Sequence, residues 1–382
     1  MKVLYDYQAF SQRFGGISNY FVQIIRNMPN DVQYEIAVSE SNNVHLKDSG
    51  LIDIENATQT VDSFITRYNF KGKSWLYNKY SSFFPRMTSL GRNRKRSIDS
   101  LKNGQYDLFH PTFFSDYFLP YLNGKPYVLT VHDMIPELFN KDFGKRNEQL
   151  VNKAKLVKGA AHVIAVSEKT KEDLISLLNV QDYRISVIYH GAPAYNVNEV
   201  AEPIISGRYI LYVGNRDGYK NFMPMIKEMV PFLKNHVDIR LVCTGNPFNI
   251  VELKTFTDYH IRDQIIHIHP SDSDMEDLYR NALCFIFPSL YEGFGIPVLE
   301  AWQAGCPVLL NKKSCFPEIA KDAAIFFCLD EHYSDLREVI NKFVRMSEVE
   351  MRQLKQKQQN RLKEFSWRKS AEQLADIYRM VI

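Results

Sequence analysis

The sequence predicts an α/β protein built from two doubly wound domains; if they face each other, the ligand site is the cleft between them. Short apolar runs rich in β-branched and aromatic residues alternate with amphipathic stretches along the whole chain. Such alternation is typical of right-handed βαβ units, which form parallel sheets. Residues 190–207 interrupt the pattern, because they contain two prolines and two glycines and lack apolar periodicity. We therefore expect one domain on each side of this segment.

Twelve short runs are candidate strands. They cover residues 2–5, 34–38, 108–109, 127–131, 162–166 and 185–189 in the first half, and 209–213, 239–244, 265–269, 284–287, 308–310 and 325–328 in the second. Helical patterns lie between them, for example at 17–28, 169–178, 221–234, 274–281 and 298–304. Residues 56–103 are less regular and are expected to form an insertion. We assign residues 1–190 to the first domain and 191–365 to the second.

Composition narrows the class of protein. With 382 residues, of which 45% are hydrophobic, the chain can form two cores of ordinary size. A net charge of +3 is too small to indicate a nucleic-acid partner, and we expect none. The five cysteines show no metal-binding spacing, which fits a reducing compartment. No apolar run resembles a secretory signal or reaches the ~20 residues of a membrane-spanning helix. We therefore expect a cytoplasmic protein that meets a membrane only at its surface.

The most informative segment is residues 284–300, which reads as a buried strand, a glycine-rich turn and the start of a helix. Gly293 and Gly295 allow backbone angles that other residues avoid, and they let a ligand approach the main chain closely. The amides of Ile296 and Val298 would then lie at the positive end of the helix dipole. This pattern predicts a binding site for a phosphate.

Glu292 and Glu300 flank this turn, and Phe294 lies between its glycines. Two carboxylates beside an anion site can accept hydrogen bonds from the hydroxyls of a sugar or a ribose. The alternative is an ordinary strand-to-helix connection with one surface glutamate and one helical glutamate.

Two other loops follow predicted strands and suit an anion. After strand 209–213 come Arg216 and Lys220, whose side chains both suit phosphate oxygens. Fixed cations of this kind would stabilise negative charge on a bound phosphate group. Gly15 and Gly16 precede a helix near the start of the chain and again allow close backbone approach. The alternatives are two solvated loop cations and a common turn.

The Asp272-Ser273-Asp274 run invites a metal site, which we reject. Ser273 and Glu276 have the spacing of a capping box, so the run is expected to start a helix. Two carboxylates on a turn are also too few to specify magnesium or manganese. We expect neither a metal nor any other cofactor.

The turn resembles a known signature. Glu292, Gly293, Phe294 and Gly295, followed by an apolar residue, a proline and then Glu300, closely resemble the Glu-x7-Glu motif of the retaining family-4 glycosyltransferases (glycosyl transferases group 1), which have the GT-B fold. The resemblance continues over residues 288–308. It implies a metal-independent hexosyltransferase that uses a nucleoside diphosphate sugar as its donor and retains the configuration at the anomeric carbon. Donors linked to GDP and to UDP both remain open.

The resemblance also implies roles for individual residues. Glu300 would hold the ribose, and Glu292, with the backbone around residues 293–295, would hold the sugar. Arg216, Lys220, Gly16 and the amides of Ile296 and Val298 would hold the diphosphate. The leaving phosphate is thought to help deprotonate the acceptor in this family, so we name no general base.

The first domain would bind the acceptor, and the last helix, residues 366–382, would cross back onto it. The phrase Thr130-Val131-His132-Asp133 resembles a motif of the family in which the histidine reaches the donor sugar. We therefore favour His132 over His110, although a lone histidine is also a common structural residue or base. The acceptor would be a saccharide or a lipid-linked molecule of a cell-surface polysaccharide or glycolipid pathway.

Two other functions remain open at this stage. One is a non-hydrolysing nucleotide-sugar epimerase of the same architecture, and the other is a non-catalytic nucleotide-sugar binding subunit. The presence of both Glu292 and Glu300 argues against the second. A NAD-dependent dehydrogenase is disfavoured, because no strand–GxGxxG–helix unit is found.

Residues 71–96 combine aromatic and basic side chains. The set is Trp75, Tyr77, Tyr80, Phe83 and Phe84, then Arg86, Arg92, Arg94, Lys95 and Arg96. Such a mixture suits an anionic membrane surface, and the alternative is an ordinary solvated face. We expect a peripheral contact with the inner membrane face if the acceptor is carried on a lipid.

Overall fold

The structure is a computed structural model that describes residues 1–65, 68–70, 72–139, 148–193, 203–216 and 218–382. Six strands lie in the first half: β1 (Lys2–Tyr5), β2 (Gln33–Ile36), β3 (Leu108–His110), β4 (Val128–Val131), β5 (His162–Ala165) and β6 (Ile185–Val187). They form two parallel three-stranded sheets, in the orders β2-β1-β3 and β4-β5-β6. A parallel bridge between Phe109 and Tyr127 connects β3 to β4, so the two sheets continue each other.

The second half contains one six-stranded parallel sheet. Its strands are β7 (Arg208–Tyr212), β8 (Ile239–Cys243), β9 (Ile265–His267), β10 (Cys284–Phe287), β11 (Val308–Asn311) and β12 (Ile325–Phe327). Their order is β12-β11-β10-β7-β8-β9, so the chain begins in the middle, fills one edge and returns to fill the other. The switch point lies between β7 and β10. Ligands of doubly wound sheets bind beyond the carboxyl ends of the strands at such a point.

Helices connect the strands. In the first half they are α1 (Gly16–Arg26), α2 (Val44–Ser49), α3 (Lys73–Phe83), α4 (Ser89–Asn103), α5 (Ile135–Leu138), α6 (Glu148–Gly159) and α7 (Glu168–Leu178). In the second half they are α8 (Phe222–Asn235), α9 (Ile250–Asp258), α10 (Asp272–Asn281), α11 (Ile296–Gln303), α12 (Phe316–Ala320), α13 (Leu336–Phe343), α14 (Glu348–Leu362) and α15 (Trp367–Val381). Side-chain caps fix several of the starts. For example, Ser167 accepts a hydrogen bond from the Thr170 amide and so begins α7.

The predicted elements agree with those observed. Each of the twelve predicted strands is present, and its ends differ by at most two residues from the prediction. The five predicted helices agree to the same extent. The irregular region at 56–103 contains α3 and α4. Of the predicted domain boundary, residues 194–202 lie outside the described part of the chain.

The last helix packs against the first half of the molecule. Ala371, Leu374, Ala375 and Tyr378 of α15 are fully buried in the same core as β1 and α1. The Tyr378 hydroxyl lies 2.6 Å from Nδ1 of His110, at the end of β3. No helix among the described residues is both long and apolar enough to cross a bilayer.

Candidate functional site

A cleft of about 1080 Å³ lies between the two halves of the molecule. Most of the predicted site residues line it, although they come from distant parts of the sequence. They are Gly16, His132, Lys220, Glu292, Gly293, Phe294, Gly295, Ile296 and Glu300. Arg216 and Val298 are not among the lining residues.

The glycine-rich turn after β10 is shaped by two steric requirements. Gly295 caps α11 with a φ of +90°, a conformation that L side chains rarely adopt. Gly293 lies against the other half of the molecule, and a Cβ atom at this position would stand 1.7 Å from the backbone oxygen of His132. The turn therefore needs glycine at both positions, and at Gly293 the reason is close approach between the two halves.

Two helix starts converge on the cleft. Gly16 begins α1, and Ile296 begins α11; a Cβ atom on Gly16 would lie 4.0 Å from Cδ1 of Ile296. The first amides of a helix have no partner within the helix, and they lie at its positive end. Opposed helix starts of this kind suit an anion with several oxygen atoms, such as a diphosphate.

The prediction for Val298 needs a correction. Its amide donates to the carbonyl oxygen of Gly295 at 2.9 Å, and its side chain is fully buried. The amide closes the first turn of α11 and is not free for a ligand. Ile296, by contrast, lines the cleft at this helix start.

Glu292 and Lys220 are paired within the cleft. The Lys220 ammonium donates to Oε1 of Glu292 at 2.6 Å, and both side chains are largely buried. Ser314 fixes the backbone of Glu292, because its hydroxyl donates to the Glu292 carbonyl oxygen at 2.7 Å. The sequence predicted separate roles for the two charged groups, whereas the structure shows them as an ion pair. A ligand in the cleft would either bind both groups together or break the contact between them.

Arg216 does not face the cleft, contrary to the prediction. Its Nε donates to Glu252 at 2.7 Å and its Nη1 to the Thr244 carbonyl at 3.1 Å. Its Nη2 donates to the carbonyl oxygens of Asn246 and Pro247. With only 5% of its side chain exposed, Arg216 stabilises the loop after β8 through these hydrogen bonds. Asp217, which follows Arg216 in the chain, lies outside the described residues.

A different arginine enters the cleft. Arg13 precedes the Gly15–Gly16 turn, is exposed, and lines the cleft together with Lys220. No ion pair joins it to a carboxylate in the described part of the chain, and its guanidinium lies 5.1 Å from the ring of Phe14. The sequence analysis missed it, and its position next to the glycine pair was the only signal available.

Glu300 lies one turn into α11 and also faces the cleft. The Tyr279 hydroxyl donates to its Oε2 at 3.1 Å, which fixes the carboxylate from behind. The turn formed by residues 269–271 lines the cleft as well. Glu300 and this turn therefore both face the cleft.

His132 lies at the carboxyl end of β4. Its ring packs edge-on against the ring of Tyr20, with the ring centroids 4.8 Å apart. Burial, with a smaller contribution from the Lys153 charge, lowers the pKa of His132 to about 3. Its Nε2 is buried and has no hydrogen-bond partner among the described residues. His132 is thus uncharged at neutral pH and can bind a neutral hydroxyl.

Two further histidines differ in their surroundings. His110 is fully buried, and its ring nitrogens lie 2.6 Å from the Tyr378 hydroxyl and 3.0 Å from the Thr130 hydroxyl, so it is a structural residue. His190 was not predicted, yet it lines the cleft and stacks on Phe294 with ring centroids 4.6 Å apart. Neither of its ring nitrogens has a partner within the described residues, and burial lowers its pKa well below the usual value.

The start of α10 is a helix cap, as predicted, but with different residues. Ser271 and Asp274 form the capping box, in place of the predicted Ser273 and Glu276. The described ranges contain no group of three or more His, Cys, Asp or Glu side chains arranged to hold a metal ion.

The molecule has the GT-B fold, as comparison with solved structures shows. HepE from Anabaena, solved in complex with UDP and glucose, superposes with a TM-score of 0.71 at 15% identity over 100% of both chains. The sucrose-phosphate synthase of Thermosynechococcus elongatus also superposes with a TM-score of 0.71 at 15% identity, covering 100% of this chain and 98% of that one.

The sequence comparisons identify the family. The model described as Glycosyltransferase Family 4 matches residues 14–194, and the model described as Glycosyl transferases group 1 matches residues 202–361. Because the two matches together span both halves of the fold, the chain belongs to the family-4 glycosyltransferases.

Curated relatives are distant. The O-antigen chain mannosyltransferase RfbU of Salmonella typhimurium is 27% identical over 54% of this chain and 58% of its own. The GDP-mannose:cellobiosyl-diphosphopolyprenol alpha-mannosyltransferase of Xanthomonas oryzae pv. oryzae is 24% identical over 85% of this chain and 82% of its own. The matches to the first three relatives span only 56% to 64% of those proteins.

Proposed function

We propose that the protein transfers a hexose from a nucleoside diphosphate sugar to an acceptor hydroxyl, with retention at the anomeric carbon. The observation that carries this proposal is the convergence of two helix starts, Lys220 and two carboxylates on one cleft. The names of the relatives, several of which are mannosyltransferases, make GDP-mannose the first donor to test.

The diphosphate would lie between the starts of α1 and α11, with Lys220 and Arg13 nearby. As the bond between the sugar carbon and the phosphate oxygen breaks, negative charge grows on the diphosphate. The helix amides and the Lys220 ammonium would face that charge from fixed positions, so little reorganisation would be needed. The acceptor oxygen forms the new bond to the sugar carbon, and its proton passes to the departing phosphate.

Glu300 would accept hydrogen bonds from the ribose hydroxyls, and Tyr279 would hold it in that orientation. Glu292 would accept hydrogen bonds from the sugar hydroxyls while it shares Lys220 with the diphosphate. The neutral ring of His132 would donate to or accept from a further sugar hydroxyl. None of these steps requires a metal ion.

The acceptor would enter through a second cavity of about 990 Å³ in the first half of the molecule. This cavity adjoins the cleft, because Arg13 and Val44 line both. Its other walls come from the segment that follows β2 and from α3 and α4. An acceptor in this cavity would be able to direct a hydroxyl towards the donor sugar.

The test uses purified protein, GDP-mannose and UDP-linked hexoses. Binding is measured by thermal shift, since a ligand of the folded state raises the melting temperature. Turnover is measured as donor consumption with and without an added saccharide acceptor, and NMR of the product reports the anomeric configuration. Epimerised donor, or tight binding without any turnover, would replace the proposal with one of the alternative functions.

Two variants separate the roles of the carboxylates. Glu300→Ala is expected to weaken nucleotide binding by about 10- to 100-fold, because one hydrogen bond to a charged group contributes about 1.5–3 kcal/mol. Glu292→Ala is expected to keep nucleotide affinity and to lose most of the transfer rate. Glu372→Ala, on the exposed side of α15, is the matched control. Wild-type behaviour of Glu300→Ala or Glu292→Ala would refute the role assigned to that residue.

A further inference from the structure

The outward face of α3 and the residues just after it expose an unusual amount of apolar surface. Trp75, Leu76, Phe83, Phe84 and Met87 are each between 40% and 77% exposed. Scattered apolar residues need no explanation, but a contiguous set of large ones marks an interaction site. The spacing of Trp75 and Phe83, two helical turns apart, places them on the same face of α3.

The opposite face of α3 is firmly held. Lys73, Tyr77 and Ser81 are buried, and the Tyr77 hydroxyl donates to the Gln59 carbonyl at 2.9 Å. This inner face also forms part of the second cavity, which Tyr77 and Asn78 line. The helix therefore separates the proposed acceptor cavity from the apolar outer surface.

The charged residues of the segment that contains α3 all have one sign. Between Asp62 and Asp99 the sequence contains no aspartate or glutamate, but it contains nine lysines and arginines. Lys79 lies over the Trp75 ring at 4.4 Å, and Arg86 is exposed beside Met87. Neither cation forms an ion pair with a carboxylate in the residues that the structure describes.

We propose that this face docks on the surface of an anionic lipid bilayer. Aromatic side chains favour the boundary between headgroups and acyl chains, and cations beside them are attracted to lipid phosphates. The docked orientation brings the second cavity to the membrane surface. If the proposed transferase function holds, the acceptor is then a lipid-linked saccharide whose polar part enters that cavity.

The test is flotation of the whole protein with vesicles, in the absence of any nucleotide, so that its result does not depend on the transferase proposal. We expect binding to phosphatidylcholine vesicles that contain phosphatidylglycerol, and weak binding to phosphatidylcholine alone. Replacing Lys79 and Arg86 together by glutamine should lower the affinity about thirtyfold, because each cation near an anionic surface contributes roughly fivefold. The control is the double variant Ile250→Ser with Val251→Ser, because both are exposed apolar residues on the second half of the molecule. It removes exposed apolar surface away from α3 and should bind vesicles as the wild type does.

Tryptophan fluorescence gives a second readout. Of the three tryptophans, Trp302 is fully buried and Trp367 is half-buried, whereas Trp75 is 59% exposed. We expect a blue shift on adding anionic vesicles, and no shift in Trp75→Phe. Absence of vesicle binding by the wild type, or equal binding to neutral vesicles, would overturn the proposal. Self-association that the Phe83→Ser variant abolishes would identify the surface as a contact between two copies and would overturn it as well.

Discussion

At the scale of single residues, Lys220 has the clearest expected effect. We expect Lys220→Ala to weaken the binding of a nucleoside diphosphate by about 10- to 100-fold, because one charge-assisted hydrogen bond contributes about 1.5–3 kcal/mol. Affinity for the nucleoside alone should change little. Calorimetric titration with both ligands measures the difference.

The control for this variant is Lys357→Ala. Lys357 lies on α14 and forms an exposed ion pair with Asp322. A surface pair of this kind contributes little, so binding should stay as in the wild type. An equal loss of affinity for nucleoside and diphosphate in Lys220→Ala would contradict the proposed phosphate contact.

For Arg216 we expect a loss of stability instead of a loss of diphosphate affinity. We expect Arg216→Met to lower the free energy of unfolding by about 3–5 kcal/mol, because it leaves the carboxylate of Glu252 buried without its cation. Urea denaturation measures this loss. Adding Glu252→Gln should recover part of it, since the uncompensated charge is then removed. A stable Arg216→Met variant with weakened nucleotide affinity would instead support the phosphate contact that the sequence suggested.

These two residues show what local sequence can and cannot predict about the site. Arg216 and Lys220 lie in one loop after one strand, and both have the right charge for a phosphate. Their side chains differ in direction because Arg216 forms an ion pair with Glu252, which lies 36 residues later in the chain. Arg13 also lines the cleft, although its position near the glycine pair was its only signal in the sequence. Local sequence thus predicted a loop that lines the cleft, but tertiary contacts decide which cation faces the cleft.

At the scale of elements, the strands were predictable because strands buried on both faces read as continuous apolar runs. The residues at which helices begin were harder to predict. Ser271 with Asp274 and Ser273 with Glu276 have the same spacing, so the capping pattern alone does not choose between them. The structure selects Ser271, whose extended backbone ends the preceding turn. Helix α10 therefore starts two residues before the predicted position.

The last helix gives a prediction for a whole element. Leu374 of α15 is fully buried in the core of the first half, so Leu374→Ala should lower the free energy of unfolding by about 2–5 kcal/mol. Met380 on the same helix is 61% exposed, and Met380→Ala should change stability by no more than about 0.5 kcal/mol. Urea denaturation compares the two. Equal stability of both variants would mean that α15 does not hold the first half together.

At the scale of the whole molecule, contacts between the two halves orient the glycine-rich turn. The Tyr291 hydroxyl donates to Asp173 of α7 at 2.7 Å. The carboxylate of Glu318 accepts the first amides of α7, from Glu168 at 2.7 Å and from Lys169 at 3.2 Å. None of these pairings was visible in the sequence, because their partners lie more than 100 residues apart.

Gly293 tests how closely the two halves must meet. In Gly293→Ala the added Cβ would overlap the backbone oxygen of His132, so the turn or the whole second half must shift. We expect the transfer rate to fall about 100-fold, because a displacement of about 1 Å at a reacting centre has an effect of this size. Gly124→Ala is the control: its φ is also unfavourable, at +80°, but no atom lies within 4 Å of the new Cβ. A Gly293→Ala enzyme with the wild-type rate would show that the turn and His132 need not touch during transfer.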